Sequence, residues 1–187
     1  MAGNVRIGTS GWNYPTGRGT WNGVFYPPAR GRSKGFDELA FYAERFDTVE
    51  VNSTFYGQPR PEVTQGWVRR TPPGFEFSVK LYQKFTHPGM FRERVTKSIP
   101  AGARTEQAIA ELARPNQADL DEFRRGIDPL AASGKLGALL AQFPPSFKWG
   151  DAECAYLGHL LRAFDGCQVA VELRHSSWSD HLNDTVG

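Results

Sequence analysis

The sequence predicts an α/β fold of TIM-barrel-like (β/α) type, here about five β/α units of an incomplete barrel. Three observations carry that prediction. Five segments read as strands, and four of the intervals between them carry helical periodicity; such alternation implies parallel strands with helical crossovers. The strands are two-faced: Val49 and Val51 oppose Glu50, Asn52 and Thr54, and Phe75, Phe77, Val79 and Leu81 oppose Glu76, Ser78, Lys80 and Tyr82. Several polar residues fall late in their strands, at the end where barrel enzymes carry their sites. A doubly wound sheet, the runner-up, would bury the polar faces under apolar helices at high desolvation cost. A barrel has helices outside only, so its inner face tolerates paired charges.

Taken in order, the first strand reads as 5–12, with Val5 and Ile7 against Arg6, Gly8 and Ser10. A loop rich in Gly, Pro and aromatics follows. Residues 35–46 place Phe36, Leu39, Ala43 and Phe46 on one helical face. Strand two reads as 48–56. A short helix in 61–74 is ended by "PPG", because proline cannot continue it. Strand three reads as 75–82. Residues 83–118 read as irregular, basic and punctuated by Pro and Gly, a length that marks either a functional excursion or a partly mobile segment. A helix follows over 118–133, with Leu120, Phe123, Ile127 and Leu130 on one face and Pro129 shortening or kinking it. Strand four reads as 136–143. Asp151 is the expected N-cap of a helix over 152–164. Strand five reads as 168–175, with Val169, Val171 and Leu173 opposing Ala170, Glu172 and Arg174, and a further helix starts near Ser177. No repeat or low-complexity tract interrupts this pattern, so residues 1–187 read as a single domain, the N-terminal part of a barrel domain.

Composition narrows the class. The chain is 40% hydrophobic and 13% aromatic, ample for a core. Net charge is only +2, but it is uneven: residues 60–104 carry nine basic residues against three acids, and 151–187 two against six. A basic side favours anionic partners, either a small-molecule or phosphate-bearing substrate or nucleic acid. Cys154 and Cys167 show no metal or redox spacing. With no secretory segment after Met1 and no long apolar run, a cytoplasmic protein without a membrane partner is expected. No cofactor is named by any motif, and oligomeric state is not encoded in the pattern.

The motifs also carry a resemblance. "IGTSGW" with Tyr two residues on, "FDTVEVNSTFYGQP", "FSVK" followed by "FTH", "LLAQFPPSF" and "VAVELRHSSW" are similar, in order and spacing, to the signatures of the YecE-like family, domain of unknown function 72. The resemblance covers roughly residues 5–182. It implies a TIM-barrel-like fold and a bacterial or archaeal cytosolic protein of no settled activity, loosely similar to the xylose-isomerase and endonuclease-IV group. It also implies that a complete member continues through further strands, since typical barrels need about 250 residues.

The candidate chemistry follows from the polar faces. Glu50 and Glu172 are the expected acid–base pair, lying on the inner wall of two strands. Lys80 and Arg174 supply compensating positive charge and an anion site. His87 and His175 follow strands three and five, where a general base or ligand belongs. Glu50, Glu172, His87 and His175 are also the available metal ligands, although no HxH or HExxH spacing supports a metal site. Ser10, Asn52, Thr54, Gln142 and Trp178 join the substrate-binding set as polar or aromatic groups at strand ends. Trp12, Tyr14 and Tyr56 are candidate stacking walls, while Trp21, Phe25 and Tyr26 read as a small core under the first loop. The sequence thus predicts a barrel hydrolase, lyase or isomerase acting on a small polar, phosphorylated or sugar-like molecule. The alternatives are a nucleic-acid-binding protein, including a metal-dependent nuclease, and a scaffold without chemistry.

Overall fold

The computed structural model describes residues 5–14, 20–28, 30–100, 102 and 105–181. Residues 15–19 of the first loop and those after 181, where the last helix was expected to run, lie outside the described residues. Five strands form one sheet in linear order: β1 (Gly8–Ser10), β2 (Thr48–Val51), β3 (Glu76–Lys80), β4 (Leu136–Gln142) and β5 (Gln168–Glu172). The pairs β1–β2, β2–β3 and β4–β5 are parallel. Between β3 and β4, the Phe77 amide donates to the Lys135 carbonyl at 2.8 Å and the Leu81 amide to the Leu140 carbonyl at 3.0 Å. Helices fall between successive strands, and β1 and β5 end the sheet without pairing to each other. This is the α/β, TIM-barrel-like order expected, with the sheet not closed.

The chain divides into two compact units. One holds residues 1–52, 59–79 and 125–137; the other holds 53–58, 80–124 and 138–187. In the first unit, β2 and β3 bury Val49, Val51, Phe77 and Val79, as their alternation predicts. Helix α1 (Glu38–Ala43) starts at Asp37, whose carboxylate accepts the Ala40 amide at 3.1 Å. Leu39 and Tyr42 of α1 are fully buried. Trp21, Phe25 and Tyr26 pack edge-on or tilted against one another, and Tyr42 stacks on Phe46 at 4.6 Å, so the first loop carries its own aromatic core.

Strand one is shorter than its sequence suggests. Val5 and Ile7 are 83% and 63% exposed. Pairing reaches back only to the Ile7 carbonyl, which accepts from the Asp47 amide at 3.0 Å, because β2 offers nothing earlier to pair with. Strand two also ends early. Val51 is its last residue, and Ser53–Tyr56 turn into a short helix, α2. Thr54 and Phe55 are therefore not on a strand face; both are buried in the second unit, where Thr54 Oγ1 donates to the Lys80 carbonyl at 2.7 Å.

Helix α3 (Pro61–Arg69) begins with proline, whose missing amide hydrogen costs nothing at that position. Its far end is held by Lys135, a buried amine donating to the Val68 and Thr71 carbonyls at 3.0 and 2.6 Å and to Thr71 Oγ1 at 2.9 Å. Burial lowers the Lys135 pKa; three oxygen acceptors offset the lost hydration.

The segment 83–118, expected to be irregular, is mostly helical. It forms α4 (Gln83–Thr86), α5 (Pro88–Ser98) and α6 (Glu106–Ala113). Helix α5 buries Phe91 alone, so its periodicity is too faint to read. Pro88 stands at its start rather than interrupting it, and Thr105 caps α6 by accepting the Ala108 amide at 3.2 Å. Helix α7 (Gln117–Ala132) keeps Pro129 inside. Helix α8 (Asp151–Ala163) is capped by Gly150, and Asp151, the expected cap, sits in the first turn. The chain then runs through β5 into a further helical segment near the expected Ser177, a 3₁₀ helix over Ser176–His181. In the second unit Phe85, Phe123, Leu139, Phe143 and Phe164 form the core.

Backbone approach is closest at Gly126 of α7. A Cβ there would lie 2.1 Å from the Pro59 carbonyl oxygen, while Thr64 Oγ1 donates to the Gly126 carbonyl at 2.7 Å. Gly126→Ala is expected to destabilise the protein by about 1–3 kcal/mol through this overlap. Gly66→Ala in α3, where nothing lies within 4 Å, is expected to gain roughly 0.5–1 kcal/mol from reduced chain entropy. Urea denaturation of both variants checks the opposite signs.

Candidate functional site

The C-terminal ends of β3, β4 and β5 bring together four of the residues singled out in the sequence. Parallel register sets Gln142 beside Glu172. Lys80 Nζ donates to Gln142 Oε1 at 2.6 Å, and Gln142 Nε2 donates to Glu172 Oε2 at 2.5 Å. Arg174 Nε donates to Glu172 Oε1 at 2.6 Å. The result is one chain of donors and acceptors, Lys80–Gln142–Glu172–Arg174, spanning three strand ends. Glu172 is held below the usual carboxylate range, first by the hydrogen bonds from Gln142 and Arg174, then by the charges of Arg174 and Lys80. It is ionised at neutral pH. Arg174 meets Glu172 through Nε only, and its two terminal nitrogens make no hydrogen bond among the described residues.

His87 joins this cluster at the junction of α4 and α5. Its Nδ1 lies 3.0 Å from Thr86 Oγ1, and its ring meets Phe55 edge-on at 4.9 Å. The Lys80 ammonium sits 4.7 Å from the centroid of the same Phe55 ring. Burial is the main cause of a lowered His87 pKa, and the charges of Lys80 and Arg174 push it further down. The imidazole is therefore neutral at pH 7, in a cationic neighbourhood.

His175 is differently occupied. The Ser177 amide donates to its Nδ1 at 3.1 Å, and the Ser177 hydroxyl lies 2.8 Å from the same nitrogen while accepting the Trp149 amide at 2.9 Å. It is tied into loop structure. Trp178, read as a pocket wall, is instead buried; its indole donates to the Phe147 carbonyl at 2.8 Å and stacks on the Phe147 ring. Thr54 is likewise consumed by its bond to the Lys80 carbonyl. Tyr56 is exposed, and its carbonyl accepts from Arg94, which also donates to the Tyr82 hydroxyl at 3.0 Å. Phe55, expected as a stacking ring at the end of strand two, instead lies between Lys80 and His87, and Thr86, for which no role was expected, is the partner of His87; its place within "FTH" was the available signal.

The first unit holds a second polar group. The Ser10 hydroxyl donates to Glu50 Oε1 at 2.9 Å and accepts from Asn52 Nδ2. Ser10 and Glu50 are register partners. Gly11, at φ 83°, turns the chain so that its amide donates to the Glu50 carbonyl at 2.8 Å. Tyr14 donates to the Ser10 carbonyl, and Trp12 packs edge-on against Trp67 at 5.6 Å. Among the described residues no group of three or more His, Cys, Asp or Glu side chains is placed to hold a metal ion. Among the same residues, no helix is long and apolar enough to cross a membrane.

A family model described as protein of unknown function DUF72 matches residues 6–186. The chain belongs to the DUF72 family. It is 30% identical over 174 residues to UPF0759 protein YunF of Bacillus subtilis, covering 93% of this chain and 52% of that protein. It is 29% identical over 142 residues to UPF0759 protein YecE of Escherichia coli K12, covering 75% of this chain and 43% of the relative. A DUF72 family crystal structure from Thermotoga maritima superposes with a TM-score of 0.63 at 30% identity, over 92% of this chain and 56% of that one. One from Enterococcus faecalis gives 0.67 at 24% identity, over 96% and 55%. The chain thus spans about half the length of the DUF72 relatives it matches.

Two titrations follow, with opposite groups and the same sign. His87 carries a lowered pKa, so the unfolded chain takes up its proton first. Stability is expected to fall as pH drops below about 6.5 and to level off below the folded pKa. His87→Gln should remove that slope. Glu172 also carries a lowered pKa, so its contribution is present above about 4.5 and is lost as pH falls through the folded value. Denaturation midpoints measured from pH 8 to pH 3 for wild type, His87→Gln and Glu172→Gln separate the two windows.

Proposed function

We propose that the strand-end cluster is the catalytic part of a barrel enzyme that abstracts a proton from a small polar, carboxylate- or phosphate-bearing substrate, a lyase or isomerase reaction. The observation that carries this reading is an imidazole placed beside linked cations: the His87 ring and the Lys80 ammonium lie 4.9 and 4.7 Å from the centroid of one Phe55 ring, and Lys80 is joined through Gln142 and Glu172 to Arg174. An anion bound by Lys80 and Arg174 would offset their charge and raise the proton affinity of His87. The base would then strengthen only when substrate is present. In the tautomer whose Nδ1–H donates to Thr86 Oγ1, Nε2 carries the lone pair that takes the proton. Glu172 orients Arg174 and leaves its terminal fork for the substrate anion. The uneven charge of the sequence, basic over residues 60–104, supports an anionic ligand, and we place the protein in the cytoplasm. The Glu50–Ser10–Asn52 group is a separate candidate for acid–base work, supported by the hydroxyl it orders.

The test is a panel of small carboxylates and phosphate esters, screened at low salt by calorimetry. Ligands that bind should lose about tenfold in affinity or more with Lys80→Met or Arg174→Gln. For such a ligand in D₂O, proton NMR should report exchange of a carbon-bound hydrogen. That exchange should vanish in His87→Asn and survive in Glu50→Gln if His87 is the base. Anion binding unchanged in both cation variants would sink the proposal. Exchange that persists in His87→Asn would remove the base assignment.

A further inference from the structure

A pair of adjoining cavities in the second unit is lined by none of the residues given a catalytic or anion-binding role above; only Thr86, the neighbour of His87, touches both descriptions. The first, about 250 Å³, has a floor of Phe85, Leu120, Leu160 and Ala163. Its polar lining is Arg114, Asn116, Gln117, Tyr156 and His159, with no carboxylate. The second, also about 250 Å³, is walled by Pro88, Phe143, Phe147 and Ala152, with Glu153 and Thr86 as its polar groups. Phe85, Pro115 and Tyr156 line both. Each is a little smaller than the roughly 300–1,000 Å³ usual for drug-sized ligands, and the three shared residues set them side by side.

Tyr156 lies where the two cavities meet. Its hydroxyl donates to the Phe85 carbonyl at 2.6 Å, and burial pushes its pKa up to about 12, so it stays a neutral donor. The two ends differ in charge. Arg114 forms no ion pair and His159 no side-chain hydrogen bond among the described residues, so donor capacity at the first cavity is not consumed by the protein. Asp119, on the same stretch of chain, is already held by Lys84 Nζ at 2.7 Å and by the Asn116 amide at 2.9 Å. Glu153 makes the opposite end unfavourable for negative charge.

We infer that this cleft is a second ligand site, taking a small amphiphilic organic anion. The acid head lies toward Arg114 and His159, and the apolar tail passes Tyr156 to rest against Phe143 and Phe147. Apolar walls with a few convergent polar groups are the usual architecture for such a ligand, and an arginine with its fork free is the usual carboxylate receptor.

Octanoate is the probe, with octan-1-ol as its neutral counterpart, titrated into the full chain by calorimetry. Saturable one-to-one octanoate binding is expected. Arg114→Gln should weaken octanoate about fivefold or more and leave octan-1-ol unchanged. Ala152→Phe, which fills the second cavity from an exposed helix turn, should weaken both. Thermal melts confirm that each variant is folded, and amide shift changes should map to α7 and α8. No saturable octanoate binding overturns the inference. So does equal binding by Arg114→Gln, or a loss in Lys80→Met instead, which would place the anion at the strand ends.

Discussion

The arrangement at the strand ends depends on the side-chain amide of Gln142. Lys80 cannot accept a hydrogen bond and an ionised Glu172 cannot donate one, so only one orientation of the amide satisfies both. The amide is a spacer between a cation and an anion. A direct Lys80–Glu172 ion pair would neutralise both charges; with Gln142 between them, each keeps much of its field. That is why Lys80 still acts on His87, and why Glu172 needs Arg174 as its own counter-charge. The geometry comes from parallel register, which puts position 142 beside position 172 and leaves the preceding apolar residues, Leu139 and Ala141, in the core.

Much of this was legible in the chain. Two-residue alternation named the polar faces of β2, β3 and β5, and the sheet places those strands in the expected order. Lys80, Gln142, Glu172 and Arg174 were all marked by lying late in their strands, and they do meet. What the pattern could not convey was where a strand stops. Residues 48–52 alternate cleanly and read on into 53–56, yet the chain turns helical at Ser53, where Thr54 bonds the Lys80 carbonyl, a long-range contact no local spacing announces. The same holds for Trp178, whose partner, the Phe147 carbonyl, lies 31 residues away.

Residues 83–118 failed for the opposite reason. Their helices are real but bury little: α5 contributes Phe91 and α6 contributes Ile109 and Ala113. A helix held largely by its own backbone and caps has no apolar stripe to read. Pro88 then looked like a breaker when it was a first residue. Basic residues in this stretch serve local ends as well: Lys84 is buried against Asp119, and Arg94 bridges Tyr56 and Tyr82. A surplus of charge in a sequence is therefore an upper bound on what remains for a ligand.

The Ser177 contacts settle a matter of tautomerism. Because the Ser177 amide donates to Nδ1 of His175, that nitrogen carries its lone pair, the Ser177 hydroxyl can only donate to it, and the neutral ring bears its hydrogen on Nε2. Toward anything approaching from outside the loop, His175 thus presents a fixed donor. Unlike His87, it meets the surroundings as a giver of hydrogen bonds until its ring leaves Ser177.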